Sequence, residues 1–231
     1  ISRLLNEFEE RNWVVRDGHE YELTDPGEFV AEEFLRLVDR METEHALRDV
    51  WQWFPTEYPG CTMSLFAEAN IWKLGSESPY SPISRFVELY ESAQTMRAIS
   101  DHHPKPGYFE LFSNELAAGM EHHAIASPIL IEHVLKGIYE ATGTPEVIRE
   151  AVESGRFTRL AHDSIPTNDT ILIFDDRVAV ICRDENGVSQ AMVDTDAPEA
   201  VAWAESVFED FRSEARPVDI LERLEQLIRG T

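Results

Sequence analysis

The chain has 231 residues, enough for one large domain or two ordinary ones, and its 43% hydrophobic composition is sufficient for a packed core. Its 44 acidic and 20 basic residues leave a formal net charge of −24, which argues against a generic basic nucleic-acid surface. The absence of an 18-residue apolar run and of a charged-then-apolar leader speaks against a membrane span or export, so a cytoplasmic protein is expected.

Lysine occurs only at Lys73, Lys105 and Lys136, so arginine carries almost all the positive charge, and the acids lie along the whole chain. This pattern reads as halophilic adaptation: a strongly acidic surface stays soluble where salt screens charge within about 3 Å at 1 M. Cys61 and Cys182 are far apart and belong to no CxxC pair, as expected of two free thiols rather than a zinc site or a nucleophile.

Residues 1–24 read as a helix followed by a hairpin. Ile1, Leu4, Leu5 and Phe8 fall at i, i+3, i+4 and i+7, one apolar stripe, which leaves Ser2, Arg3, Asn6, Glu7 and Glu10 on the open face. Trp13, Val14 and Val15 begin a strand, Asp17-Gly18 supplies the turn because glycine accepts positive φ, and residues 19–24 return. Asp25 is expected to cap the next helix, with Pro26 at its first position and Glu28 at its third. Phe29, Val30, Leu37, Val38 and Met41 carry its apolar side. A second helical run from Glu44 is expected to end at Trp51-Gln52-Trp53-Phe54 before Pro55, its three aromatics sealing a joint between domains.

Further along, residues 69–74 read as a strand. Ser81-Pro82 opens a helix through Ser92, 95–100 alternates into a strand, and 108–118 returns to helix. Residues 121–126 make another strand, Ser127-Pro128 opens a helix through Thr142, Pro145 opens a shorter one, and 157–162 reads as a third strand. The β-branched runs 170–174, 178–183 and 188–194, punctuated by Asp175-Asp176 and Asn186-Gly187, predict an antiparallel meander. Amphipathic helices over 198–215 and 218–229 close the chain. Residues from about 60 to 215 therefore read as one α/β domain with a mixed sheet.

A helix presenting Ser, Arg and Asn and running into a small hairpin is the second half of a winged helix-turn-helix. SRLLNEFEERNWV, a DG hairpin and LTDPGEFVAEEF together resemble the recognition helix, wing and following helix of archaeal winged helix-turn-helix transcription regulators. The remainder resembles the sensor domain of those related to methanogenesis regulators, and the similarity covers nearly the whole chain. The resemblance implies a partial winged helix-turn-helix at 1–24, connecting helices at 25–59 and a mixed α/β sensor domain at 60–231. It implies double-stranded DNA as a partner, reached through Ser2, Arg3 and Asn6 in the major groove with Arg16 and His19 beside the wing phosphates. A winged domain needs two helices before its recognition helix, so the DNA-binding domain is expected to be incomplete in the chain as given. Operator symmetry and the apolar surface of residues 26–54 point to a homodimer.

Ligands of open α/β sheets gather beyond the carboxyl ends of the strands. Three loops qualify: Ser100 to His103, Ser127-Pro128, and 163–168. Ser100, His102, His103, Ser127, His162 and Asn168 are the candidate ligand-binding residues, and the helix start at Ser127 favours an anion. Capping and turn roles would also explain Ser127 and Asp163. The expected ligand is small and polar or anionic, with no cofactor and no metal, since no HExxH occurs and only one of His122 and His123 can face a given site. An alternative to a regulator is an enzyme: His103-Pro104-Lys105 with Glu110 resembles the HxKxxxxD motif of phospholipase D-like phosphodiesterases, although Glu replaces Asp and no second copy exists. A further alternative is a protein-interaction module.

Overall fold

The apolar spacing at the start of the chain forms α1 (Ser2–Glu10), which ends where Asn12 takes a positive φ of 57° and Trp13 N–H reaches back to the Phe8 carbonyl at 2.9 Å. The computed structural model describes residues 2–18, 20–75, 79–166 and 170–230. The chain divides into two units, residues 1–46 and 47–231.

In the first unit, β1 (Val14–Asp17) pairs antiparallel with β2 (Glu20–Leu23), Asp17 opposite Glu20 across the turn that contains Gly18. α2 (Asp25–Leu47) follows at once. Its cap lies one residue earlier than expected: Gly27 N–H donates to Thr24 Oγ1 at 3.2 Å, and Glu28 N–H to the Thr24 carbonyl at 2.7 Å. Asp25 instead sits in the first turn, where its charge favours the helix dipole. No break occurs at Glu44, so the expected second run is the end of α2, and a 3-10 turn at Trp51–Trp53 stands after it. Phe29, Phe34, Leu35, Leu37 and Met41 of α2 are each more than half exposed.

The second unit continues with a 3-10 turn at Met63–Phe66, β3 (Asn70–Lys73), α3 (Ser81–Ser92), β4 (Thr95–Ser100), α4 (Gly107–Ala118) and β5 (Glu121–Ala126). Then come α5 (Pro128–Thr142), α6 (Glu146–Glu153), β6 (Phe157–Ala161), β7 (Thr170–Phe174), β8 (Arg177–Arg183) and β9 (Ser189–Thr195). α7 (Pro198–Glu214), the two-residue β10 (Arg216–Pro217) and α8 (Ile220–Gly230) complete it. The sheet runs β10-β6-β5-β4-β7-β8-β9-β3, parallel across β4, β5 and β6 and antiparallel elsewhere. This is a mixed-sheet α/β fold.

Both faces of the sheet are buried, which is why its central strands are apolar on both sides. Met96, Ala126, Phe157, Leu172 and Met192 point to the layer holding α3, α4, α5, α6 and α8. Ile99, Ile125, Ile171, Val180 and Val193 point to α7, where Trp203, Ala204, Val207 and Phe208 are buried. The aromatics before Pro55 belong to this second layer: Trp51 stacks on Phe54 at 4.7 Å, and Phe54 meets Phe66 edge-on at 4.8 Å. On the first layer α5 lies against α4 so closely that a Cβ added to Gly137 would fall 2.4 Å from the Phe109 ring.

Candidate functional site

Between the first helical layer and the sheet lies a cavity of about 340 Å³. Its floor comes from side chains of alternate strand residues, Met96, Ala124, Ala126, Leu172 and Ile181, and its apolar walls from Ile83 and Phe86 of α3, Phe112 of α4, and Leu130, Ile131 and Val134 of α5. The polar groups come from separate strands. Arg159 on β6 and Arg183 on β8 stand four strand spacings apart in the sheet order, about 19 Å at the backbone.

Arg159 is 4% exposed, and its position on β6 opposite Ala124 turns it to the cavity face. Nη1 donates to the carbonyls of His122 at 3.1 Å and Thr158 at 2.8 Å, and Nη2 lies 3.4 Å from His122 Nε2. The guanidinium also covers the Phe157 ring at 3.8 Å. No carboxylate pairs with it among the described residues. Burial pulls this cation down to about 9. His122 is buried too, its Nδ1 3.0 Å from the Tyr90 hydroxyl. Arginine is a donor only, so Nε2 accepts and Nδ1–H donates to Tyr90. Burial first, then the Arg159 charge and that of His123, hold His122 well below the usual histidine range, in keeping with this neutral form.

At the other pole Arg183 Nη1 donates to Thr170 Oγ1 at 2.7 Å, Thr170 and Ser100 share a hydrogen bond of 2.8 Å, and Ser100 Oγ accepts from His102 N–H at 3.2 Å. His103, Lys105, Tyr108 and Ser189 line the same region. Burial, helped by the positive charges of Arg183, His103 and Lys105, lowers His102 to about 4. Burial raises Tyr108. Among the described lining residues there is no Asp or Glu, in a chain with 44 of them.

Of the expected ligand residues, Ser100, His102 and His103 line the cavity. Ser127 does not join them, because its Oγ accepts from Leu130 N–H at 3.3 Å and is occupied in capping α5. His162 does not either. It follows β6 with the opposite parity to Arg159, so it meets Phe211 of α7 at 4.9 Å, with Nδ1 accepting from Ser164 N–H at 3.2 Å. Asn168 lies outside the described residues, as does His19. Arg159, Arg183, Thr170 and Tyr108 are the cavity residues that the loop-centred reading passes over. The signal for Arg159 was its parity with Phe157 and Ala161, two buried neighbours on one strand face. Lys105 lines the cavity with His103, whereas Glu110 is exposed on α4 and outside the lining.

In the first unit Ser2 opens α1, Asn6 is exposed, and the Arg3 side chain, 93% exposed, pairs with Glu7 at 3.3 Å. Arg16 Nε donates to the Gly18 carbonyl at 3.0 Å, and its guanidinium lies 5.8 Å from the Tyr21 ring centre.

The second unit is thus a mixed α/β fold with a partly open cavity whose described lining carries no carboxylate, and the first is a helix, a hairpin and a long helix. The family description "Methanogenesis regulatory protein FilR1, middle domain" matches residues 79–214, and "HVO_A0261 N-terminal domain" matches residues 1–46. The chain belongs to the FilR1 middle-domain family, and is a transcription-regulator-type protein of the archaeal kind. No curated protein matches it. Among solved structures it is similar to TrmBL2, an archaeal chromatin protein (15% identity, TM-score 0.47, 94% of this chain and 82% of that one). It is also similar to Nuc, a phospholipase D family member from Salmonella typhimurium (11% identity, TM-score 0.47, 65% and 97%), and to NucT from Helicobacter pylori (11%, 0.46, 65% and 98%). No described helix is long and apolar enough to cross a membrane.

Proposed function

We propose that the chain is a DNA-binding transcriptional regulator whose α/β unit senses a small anionic molecule. The observation that carries the ligand reading is the cavity itself: Arg159, Arg183 and Lys105 line it, with Ser100, His102 and His103, and no described carboxylate does. In a chain of net charge −24, such a positive interior surface is a local exception that favours an anion. Occupancy would act by shifting the population of two states of the protein, without turnover. The DNA reader in this proposal is residues 1–24, with Ser2, Arg3 and Asn6 toward bases and Arg16 and His19 toward phosphates. Residues 25–59 connect it to the sensor at 60–231, and the exposed apolar side chains of α2 support a homodimer.

The phosphodiesterase alternative draws on His103 and Lys105 sharing the cavity. Against it, Glu110 stands outside the lining, and histidine attack on phosphorus in that chemistry uses two such motifs where this chain has one.

Thermal unfolding in molar KCl tests the sensor reading. Inorganic phosphate at millimolar concentration should raise Tm by mass action. The rise should shrink in Arg183→Gln and Lys105→Ala, each compared with its own ligand-free Tm. No rise with phosphate or with any organic anion would overturn it.

A further inference from the structure

The two poles of the cavity are unlike, and the difference identifies a class of ligand. The Arg183 end is rich in hydrogen-bonding groups and borders Lys105, which is exposed. The Arg159 end is buried, and the surface between the two is apolar: Phe86, Ala126, Leu130, Ile131, Leu172 and Ile181. A buried guanidinium without a described carboxylate is costly to keep, and burial lowers its proton affinity accordingly. Its fixed hydrogen bonds leave one edge uncommitted. Nη1 is spent on two carbonyls and Nη2 makes one long contact, while Nε has no described partner. The Nε and Nη2 edge is the one that takes two parallel hydrogen bonds to a planar carboxylate.

Charge and geometry choose between anions here. One cation supplies one positive charge, and His122 Nε2 beside it is an acceptor, which would repel the further oxygens of a phosphate dianion. The cavity is roughly twice the ~150 Å³ that holds benzene.

We propose that the cavity takes an organic monocarboxylate with an apolar body, the carboxylate paired to Arg159 and the body lying between α3, α5 and the sheet face. This rests on the sensor reading above and adds the chemical class of its ligand. Arg159 is then a binding residue, with Tyr90 and His122 holding its orientation.

The test uses the whole chain in molar KCl with 4-phenylbutyrate as probe, followed by calorimetric titration and by the rise in Tm. Binding is expected for 4-phenylbutyrate and not for 4-phenylbutanol, which has the same body and no charge. Arg159→Gln should weaken it at least about tenfold, since hydrogen bonds to charged groups are at stake, and Arg159→Lys should recover part of the loss. The comparison of acid with alcohol needs no variant, so it decides even if Arg159→Gln fails to fold. Equal binding of the alcohol, or no binding of the acid or of octanoate, overturns the carboxylate assignment. Phosphate protection that depends on Arg183 and Lys105 in the same experiment would leave the sensor reading standing alone. Loss of both would end the two together.

Discussion

Arg85 of α3 grips Asp194 of β9 through two hydrogen bonds, Nη2 to Oδ1 at 2.8 Å and Nε to Oδ2 at 3.3 Å, although the residues are 109 positions apart. Asp194 is fully buried, and Arg177 Nη1 at 2.9 Å and Trp72 Nε1 at 2.7 Å complete its shell. This one carboxylate ties α3, β3 and β8 to β9. Asp194→Ala would remove the carboxylate that the two guanidiniums share, leaving Arg85 to Glu88 and Arg177 to Asp196, and should cost about 1 to 3 kcal/mol. Denaturant unfolding of the variant in molar salt measures it, and a loss below about 1 kcal/mol would show the cluster to be solvent-screened.

Gly27 governs how α2 leaves the hairpin. A Cβ there would lie 1.7 Å from the Trp13 carbonyl oxygen, so backbone must move to admit it. Gly27→Ala should destabilise the first unit by about 1 to 3 kcal/mol, as overpacking does. Hydrogen exchange at the amides of β1 and β2 should quicken while exchange in β4 and β5 stays unchanged.

Stability should depend on pH through histidine before the carboxylates begin to titrate. His122 is held low by burial first and then by Arg159, and His102 is held at about 4 by burial first and then by Arg183. Both have folded values below the unfolded one near 6.5, so the unfolded chain binds more protons as pH falls. The stability they contribute is fully present above about 6.5 and is lost as pH drops toward the folded values. Unfolding free energy measured at pH 7.5, 6.5, 5.5 and 5 should decline across that series. His122→Gln should flatten the decline, and a wild-type curve level down to pH 5 would contradict the buried neutral histidines.

On DNA, Arg3→Ala should cost about 1 to 3 kcal/mol at one base pair if its guanidinium reads guanine. The Arg3 to Glu7 ion pair must open first, so Glu7→Gln should tighten binding modestly. Fluorescence anisotropy with DNA from the protein's own upstream region checks both. Unchanged affinity and base preference in Arg3→Ala would remove this residue from the reader.

Self-association should run through α2. Phe34, Leu37 and Met41 recur at helical spacing and are all exposed. Light scattering in molar salt should give a dimer for the wild type and a shift toward monomer for Phe34→Ser with Met41→Ser. A monomeric wild type at micromolar concentration would count against the seam.

Elements marked by local chemistry were the legible ones. Ser81-Pro82, Ser127-Pro128 and Asn186-Gly187 announce a helix start or a turn by interactions spanning a few residues, and the strands between them alternate apolar positions. The end of α2 carries no such mark: nothing from Glu42 to Leu47 distinguishes one long helix from two, since Glu44 and His45 suit either. β10 is two residues long and exists only because Arg216 and Pro217 lie opposite Ala161 and Leu160. The cavity was half legible. Ser100, His102 and His103 follow a strand end, a place that sequence can find. Arg159 and Arg183 lie within strands, where a lone arginine ordinarily faces water, and their inward direction is set by register with neighbours far away in sequence.

The contact between Gly137 and Phe109 bears on how the cavity could exchange its contents. With the ring filling the place of a side chain, α4 and α5 have no slack along their seam, and that side of the roof moves as one body or not at all. Among the described residues the cavity also borders 102–105, where His103 and Lys105 are exposed and no helix or strand holds the backbone. Pro104 and Pro106 stiffen that stretch. A ligand passing there would meet a short, stiff loop, and shortening or loosening that loop should change the off-rate more than the equilibrium affinity.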